Sequence, residues 1–210
     1  MLDWLLLGNE HAISILKKDH EVVKSLFEKF EKADSASMKE KIIQEALAEL
    51  KMHAVLEEEI FYPAVRKKVG GKIMNEADEE HHVARVLIAE LDRNGTQHDH
   101  REAKFTVLAE SVRHHIKEEE GEMLPKAKEV DVDFDALGKQ MLRRKEELRK
   151  DGVPIDAEHR MIAKINGRDD TPAMASRRKA QRTRSSEGTT RRRREPAKRH
   201  TARSKKKARR

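Results

Sequence analysis

The sequence predicts an all-α fold: an up-down-up-down four-helix bundle with an additional C-terminal helix and a disordered basic tail. Three observations predict it. Apolar residues recur at three- and four-residue steps over roughly the first 150 residues, with little β-branched alternation. The connections between these stretches are short, as between antiparallel helices. Aromatics are only 3% of the 210 residues and cysteine is absent, so the core must come from Leu, Ile, Val, Ala and Met without disulfides.

The first helix runs from Glu10 to Lys32, with Ile13, Leu16, Val23, Leu26, Phe27 and Phe30 on one face. "DSAS" is a turn, with Ser37 as N-cap. The second helix runs from Met38 to Lys68, turns Ile43, Ala46, Leu50, Phe61 and Val65 inward, and stops at Gly70-Gly71. The third spans Lys72 to Arg93, with Met74, Leu87, Ile88 and Leu91 inward, and "RNGTQHD" is the loop after it. The fourth spans His100 to Lys128, on Phe105, Leu108, Val112 and Met123. A shorter fifth, Phe134 to Lys150, carries Leu137, Met141 and Leu148. The bundle domain is thus 10–150, preceded by an apolar segment at 1–9 that caps the fold or docks elsewhere. A linker at 151–176 and a tail at 177–210 follow.

The net charge of +7 conceals two opposite halves. The last 34 residues carry 17 basic and 2 acidic side chains, so the rest of the chain is acidic. That tail has no apolar residue larger than Ala and cannot offset the entropy of ordering, so it is expected to be disordered. Its charge attracts polyanions through phosphate contacts without base readout. Nonspecific nucleic acid, an anionic surface and simple solubilisation all remain open. The absence of cysteine excludes thiolate metal sites, iron–sulfur clusters and a cysteine nucleophile. Leu5-Leu6-Leu7 is far short of a membrane span and lacks the basic region of a secretory signal. The expected location is cytoplasmic, nucleoid-associated through the tail, or nuclear if the cell is eukaryotic.

An internal repeat carries the chemistry. "HAVLEEEIFYP" (53–63) matches "HIKEEEGEMLP" (115–125) at a constant offset of 62, pairing His53 with His115, Glu57 with Glu119 and Pro63 with Pro125. Upstream, aligning His20 on His81 keeps the apolar phase, whereas aligning it on His82 puts Val23 against Arg85. The bundle therefore reads as two helix pairs, each supplying His and then His-x-x-x-Glu. His53 and Glu57 lie one turn apart on the face of Leu50 and Phe61, so both point inward. His115 and Glu119 do the same beside Val112 and Met123.

Six inward ionisable groups are strongly unfavourable unless partnered. A metal centre satisfies all six. Four imidazoles and two carboxylates suit iron, manganese or zinc. Six ligands under-fill two octahedral ions, which leaves coordination open for solvent or a small ligand. Glu57 and Glu119 are the natural bridging carboxylates. His114, with Glu118 four residues on, rivals His115, and His82 rivals His81. His11, His98, His100, His159 and His200 are expected at the surface. Tyr62 reads as a wall residue or a hydrogen-bond partner of a bound ligand, and Glu58 or Glu120 as an orienter of a histidine.

The segments "ILKKDHEVV", "HAVLEEEIFYPAV", "EEHHVARVLIAEL" and "HHIKEEEGEMLPKA" resemble the hemerythrin-like HHE cation-binding family over Ile13 to Lys150. The resemblance implies a four-helix bundle around two iron ions, oxo- or carboxylate-bridged. Its ligands would be His20, His53, Glu57, His81, His115 and Glu119. It implies a small partner such as O2, peroxide or nitric oxide, in sensing, scavenging or iron handling. Hemerythrins proper add a histidine one turn from the third-helix ligand and end on His-x-x-x-x-Asp. Here those places hold Ala77 and Arg85, and the last motif is His-x-x-x-Glu. The departures favour redox reactivity, sensing or iron handling over reversible oxygen carriage. No separate nucleophile or general acid commits the chain to an enzymatic reaction. Peroxide decomposition at the metal pair stays open.

Overall fold

In the computed structural model, residues 10–93, 100–156 and 158–161 are described, and all their regular secondary structure is helical. Helix α1 (Ala12–Lys32) ends at a three-residue turn. Ser35, not the expected Ser37, caps α2 (Ala36–Leu56), its Oγ accepting from the Met38 N–H at 3.2 Å. The helix starts two residues early because Ser35 is the residue with extended backbone there.

The expected second helix is not one regular α-helix. A π-helical turn, Glu57–Phe61, separates α2 from α3 (Tyr62–Val69). The same break recurs in the repeat, where Glu119–Met123 separates α5 (Arg101–Glu118) from α6 (Leu124–Ala127). The cause lies in Pro63 and Pro125. Proline inside an α-helix lacks its N–H and clashes with the carbonyl four residues back. The extra residue of the π turn lets Tyr62 N–H bond Glu57 C=O and Leu124 N–H bond Glu119 C=O. Each proline then falls in the first turn of the next helix, where it is tolerated. The inserted residue also turns adjacent side chains inward together: Phe61 with Tyr62, and Met123 with Leu124, are all buried.

Gly70 ends α3 at φ 99°, a conformation that favours glycine, and α4 (Gly71–Arg93) follows. Asp133 caps α7 (Phe134–Asp151) through bonds from the Asp135 and Ala136 N–H groups. α1 packs on α2 and α4 on α5, while α7 lies against α1 and α2. Gly138 allows that last approach, since a Cβ there would stand 1.6 Å from the Glu10 carbonyl oxygen.

The expected inward residues are buried, with Leu87 and Leu137 only partly so. They form two apolar clusters. One holds Leu16, Leu56, Phe61, Met74, Met123 and Met141. The other holds Val23, Phe27, Leu50, Ile88, Phe105 and Val112. His20 falls between Leu16 and Val23, and His53 between Leu50 and Leu56. The histidines therefore occupy a polar layer between two dry ones. The loop at 94–99, the segment 1–9 and the tail 177–210 lie outside the described residues.

Candidate metal centre

All six expected residues are buried: His20, His53, Glu57, His81, His115 and Glu119 are each at most 8% exposed. Their ligand atoms converge in two groups, His20, His53, Glu57 and Glu119, and Glu57, His81 and His115. Glu57 belongs to both. Its Oε1 is 3.1 Å from His53 Nε2 and its Oε2 3.3 Å from His81 Nε2. Glu119 Oε2 is 3.1 Å from His20 Nε2. The ring Nε2 atoms face one another in pairs, 3.2 Å apart between His20 and His53 and between His81 and His115. The rivals lie outward: His82 and His114 have side chains 49% and 62% exposed.

The opposite ring nitrogens explain the orientation. His20 Nδ1 is 2.8 Å from Glu120, His81 Nδ1 2.8 Å from Glu58, and His115 Nδ1 2.8 Å from Glu80. His53 Nδ1 faces Asp19 at 3.9 Å, too far for a hydrogen bond. Asp19 is itself buried, and its other oxygen pairs with buried Lys145 of α7. A carboxylate on Nδ1 puts the proton on that nitrogen and leaves the Nε2 lone pair pointing inward.

The interior is thus lined by acceptors. Both oxygens of Glu57 and both of Glu119 are buried without a hydrogen-bond partner. A buried carboxylate without compensation costs several kcal/mol. Nitrogen and carboxylate donors around one space, with no hydrogen-bond partner for the Glu57 and Glu119 oxygens, fit cations of the iron, manganese or zinc kind. Without a cation, protons take that place. Burial pushes the His53 and His81 rings down, but Glu57 and Asp19 raise His53 to about 10, and Glu57 and Glu58 raise His81 to about 9. Burial pushes Glu57 up, yet His53 and His81 hold it well below the usual carboxylate range.

Tyr62 breaks the symmetry. Its Oη lies 3.2 Å from His81 Nε2 and 3.5 Å from His115 Nε2, beside the group that has three ligands rather than four. Burial first, and then Glu119 and Glu57, push its phenol well above the ordinary value. The equivalent position in the other half is Leu124. A cavity of about 40 Å³ touches all four histidines and is otherwise walled mainly by apolar side chains such as Val23, Leu50, Ile88 and Val112.

Apolar spacing does not point to Asp19, Glu80 or Lys145. The signal for the first two was present, since each precedes a core-phase histidine by one residue. His159 and His11, expected at the surface, are partly covered. His159 bonds Asp92 and Asp156, and His11 stacks on Phe134.

Residues 11–127 match the hemerythrin HHE cation-binding domain. The chain belongs to the hemerythrin HHE cation-binding family. Within this family it is similar to Rv2633c of Mycobacterium tuberculosis, 30% identical over 149 residues, covering 69% of this chain and 90% of that protein. The Mycobacterium bovis protein Mb2666c matches to the same extent. A crystal structure of an HHE cation-binding domain-containing protein from Mycobacterium kansasii, a homologue of Rv2633c, superposes with a TM-score of 0.56. It is 27% identical and covers 68% of this chain and 94% of that one. The HHE match spans the repeat and both π turns.

Proposed function

We propose that this HHE protein holds two iron ions, one between His20, His53 and Glu119 and one between His81 and His115, with Glu57 shared. In this reading the helices form the up-down-up-down bundle that brings both His-x-x-x-Glu motifs to one level. The observation that carries it is Glu57, whose two oxygens face different histidine pairs and have no other partner. Such a pair of ions would supply Lewis acidity and a change of oxidation state. The chain's own residues do the rest. Carboxylates on Nδ1 fix the rings of His20, His81 and His115, Asp19 faces that of His53, and the two apolar clusters exclude water. Tyr62 places a phenol at the His81 half.

The adjoining cavity selects the ligand class. About 40 Å³ accommodates a molecule of two to four atoms, since one water needs roughly 10–15 Å³. Its largely apolar wall favours uncharged species such as O2, nitric oxide or hydrogen peroxide over anions. The role is sensing, scavenging or iron handling. Elemental analysis with Mössbauer spectroscopy of the purified chain tests this. Two irons per chain, and fewer than two in Glu57→Ala, are expected. One zinc per chain would overturn it.

A second reading rests on the charge of 177–210. The tail would tether the metal domain to nucleic acid by counterion release. Replacing its Arg and Lys by Gln in the full chain should abolish salt-sensitive DNA binding and leave metal content intact. Unchanged DNA binding would sink this reading.

A further inference from the structure

The two halves of the centre are braced unequally. In each half a cation stands four residues after the ligand histidine: Lys24 after His20 and Arg85 after His81. Each meets the carboxylate on that histidine's Nδ1. Lys24 Nζ lies 3.7 Å from Glu120 Oε1 and is shared with exposed Glu21 at 2.6 Å. Arg85 Nη1 pairs closely with Glu58 Oε1, which is also 2.8 Å from His81 Nδ1.

Among the described residues, only Arg85 of the two is also held by a buried carboxylate. Glu158, in the segment beyond α7, is 8% exposed. Its Oε1 lies 3.3 Å from Arg85 Nε and 2.9 Å from His82 Nδ1. Next to it, His159 Nε2 reaches Asp92 at 3.0 Å, an aspartate also held by Lys51 at 2.7 Å. The segment is therefore strapped to α4 at two neighbouring points. Arg85 also walls the cavity beside the histidines.

The geometry points to Glu158 as a positioning residue for His81, acting through Arg85 and Glu58, so that the metal at the His81 half leaves more slowly than its neighbour. The physical basis is a chain of charge-assisted contacts. An arginine fork held on one side by Glu158 presents its other side to Glu58 in a fixed orientation. Glu58 then holds the His81 ring with its Nε2 toward the centre. Lys24 is a third exposed, on a flexible stem, and has no buried carboxylate behind it among the described residues. This inference rests on the dinuclear reading above and adds a residue from outside the HHE match.

The test uses the full chain loaded with ferrous iron and a chromogenic ferrous chelator in excess, read by absorbance against time. Elemental analysis first fixes iron per chain. Two irons leaving the wild type in two phases are expected. Glu158→Gln should quicken the slow phase roughly threefold to tenfold, less than the 10–100-fold typical of removing a direct partner, and leave the fast phase alone. Arg85→Gln should do at least as much, and adding Glu158→Gln to it should change nothing more. Lys24→Gln should not alter the slow phase. Melting of the metal-free Glu158→Gln chain separates loosened folding from loosened metal. An unchanged slow phase, equal quickening of both phases, or additive effects of Arg85→Gln and Glu158→Gln would overturn the inference. Fewer than two irons in the wild type would instead overturn the dinuclear reading, before any variant is made.

Discussion

Glu120 crosses from one half of the repeat to hold His20 in the other, its Oε1 2.8 Å from the ring Nδ1. Glu58 returns the contact to His81 at the same distance. Within each half, Asp19 faces His53 and Glu80 faces His115. The pattern is a pseudo-twofold: the residue after each interior glutamate serves the opposite half, and the residue before each leading histidine serves its own. Glu58→Gln and Glu120→Gln should therefore act alike. Each is expected to weaken metal binding by about 10–100-fold while leaving the fold intact. Competition against a chelator of known affinity, with circular dichroism as control, measures both.

Lys145 is the only cation of α7 that reaches this arrangement among the described residues. It and Asp19 are both buried, and each neutralises the other. Removing one partner of a buried pair leaves an uncompensated charge and costs about 3–5 kcal/mol. Lys145→Met should destabilise the chain by roughly that amount in urea unfolding. The double variant Lys145→Met with Asp19→Asn should recover a large part of it.

The helices were legible because a 3.6-residue apolar period needs no tertiary information. The residues it turned inward are the ones found in the two clusters. The histidines and glutamates were legible for the same reason, as polar residues in apolar phase repeated at a fixed offset. The π turns were not foreseen. Pro63 and Pro125 served only to align the repeat, although proline inside a helical pattern signals a break. The sequence offers Tyr62 as a wall residue or a hydrogen-bond partner, and the π turn decides its direction. On a continuous α-helix in phase with Phe61, its neighbour sits about 100° away. The extra residue brings both inward. Asp19 and Glu80 each precede an inward histidine by one residue, a cue that apolar periodicity does not use because it assigns such positions to solvent. Lys145 and Glu158 were beyond reach, since their partners lie 126 and 76 residues away.

His159 gives the fold a pH dependence. Bonds to Asp156 and Asp92 raise its ring from 6.5 to about 9, against the opposing effect of burial. A group raised on folding stabilises fully below its unfolded value and loses that contribution as pH rises through the folded one. This contribution should be complete below pH 6.5 and fade up to about pH 9. Melting temperatures of wild type and His159→Phe should differ most at pH 6 and converge by pH 10. A constant gap across that range would show that the ring contributes packing alone.

Tyr62 and Leu124 occupy equivalent positions, so the phenol oxygen is present in one half and missing from the other. Tyr62→Phe keeps the buried ring and removes only that oxygen. Its loss should change stability by no more than about 1 kcal/mol, the net worth of a neutral hydrogen bond. Metal retention should respond differently. The group at His81 and His115 has three candidate His and Glu ligands rather than four and has the phenol beside it, so the metal there should leave Tyr62→Phe more readily than it leaves the wild type. Elemental analysis after graded chelation, alongside thermal melting, reads both effects. Release of both metals from Tyr62→Phe at the wild-type rates would reduce the phenol to a wall of the cavity.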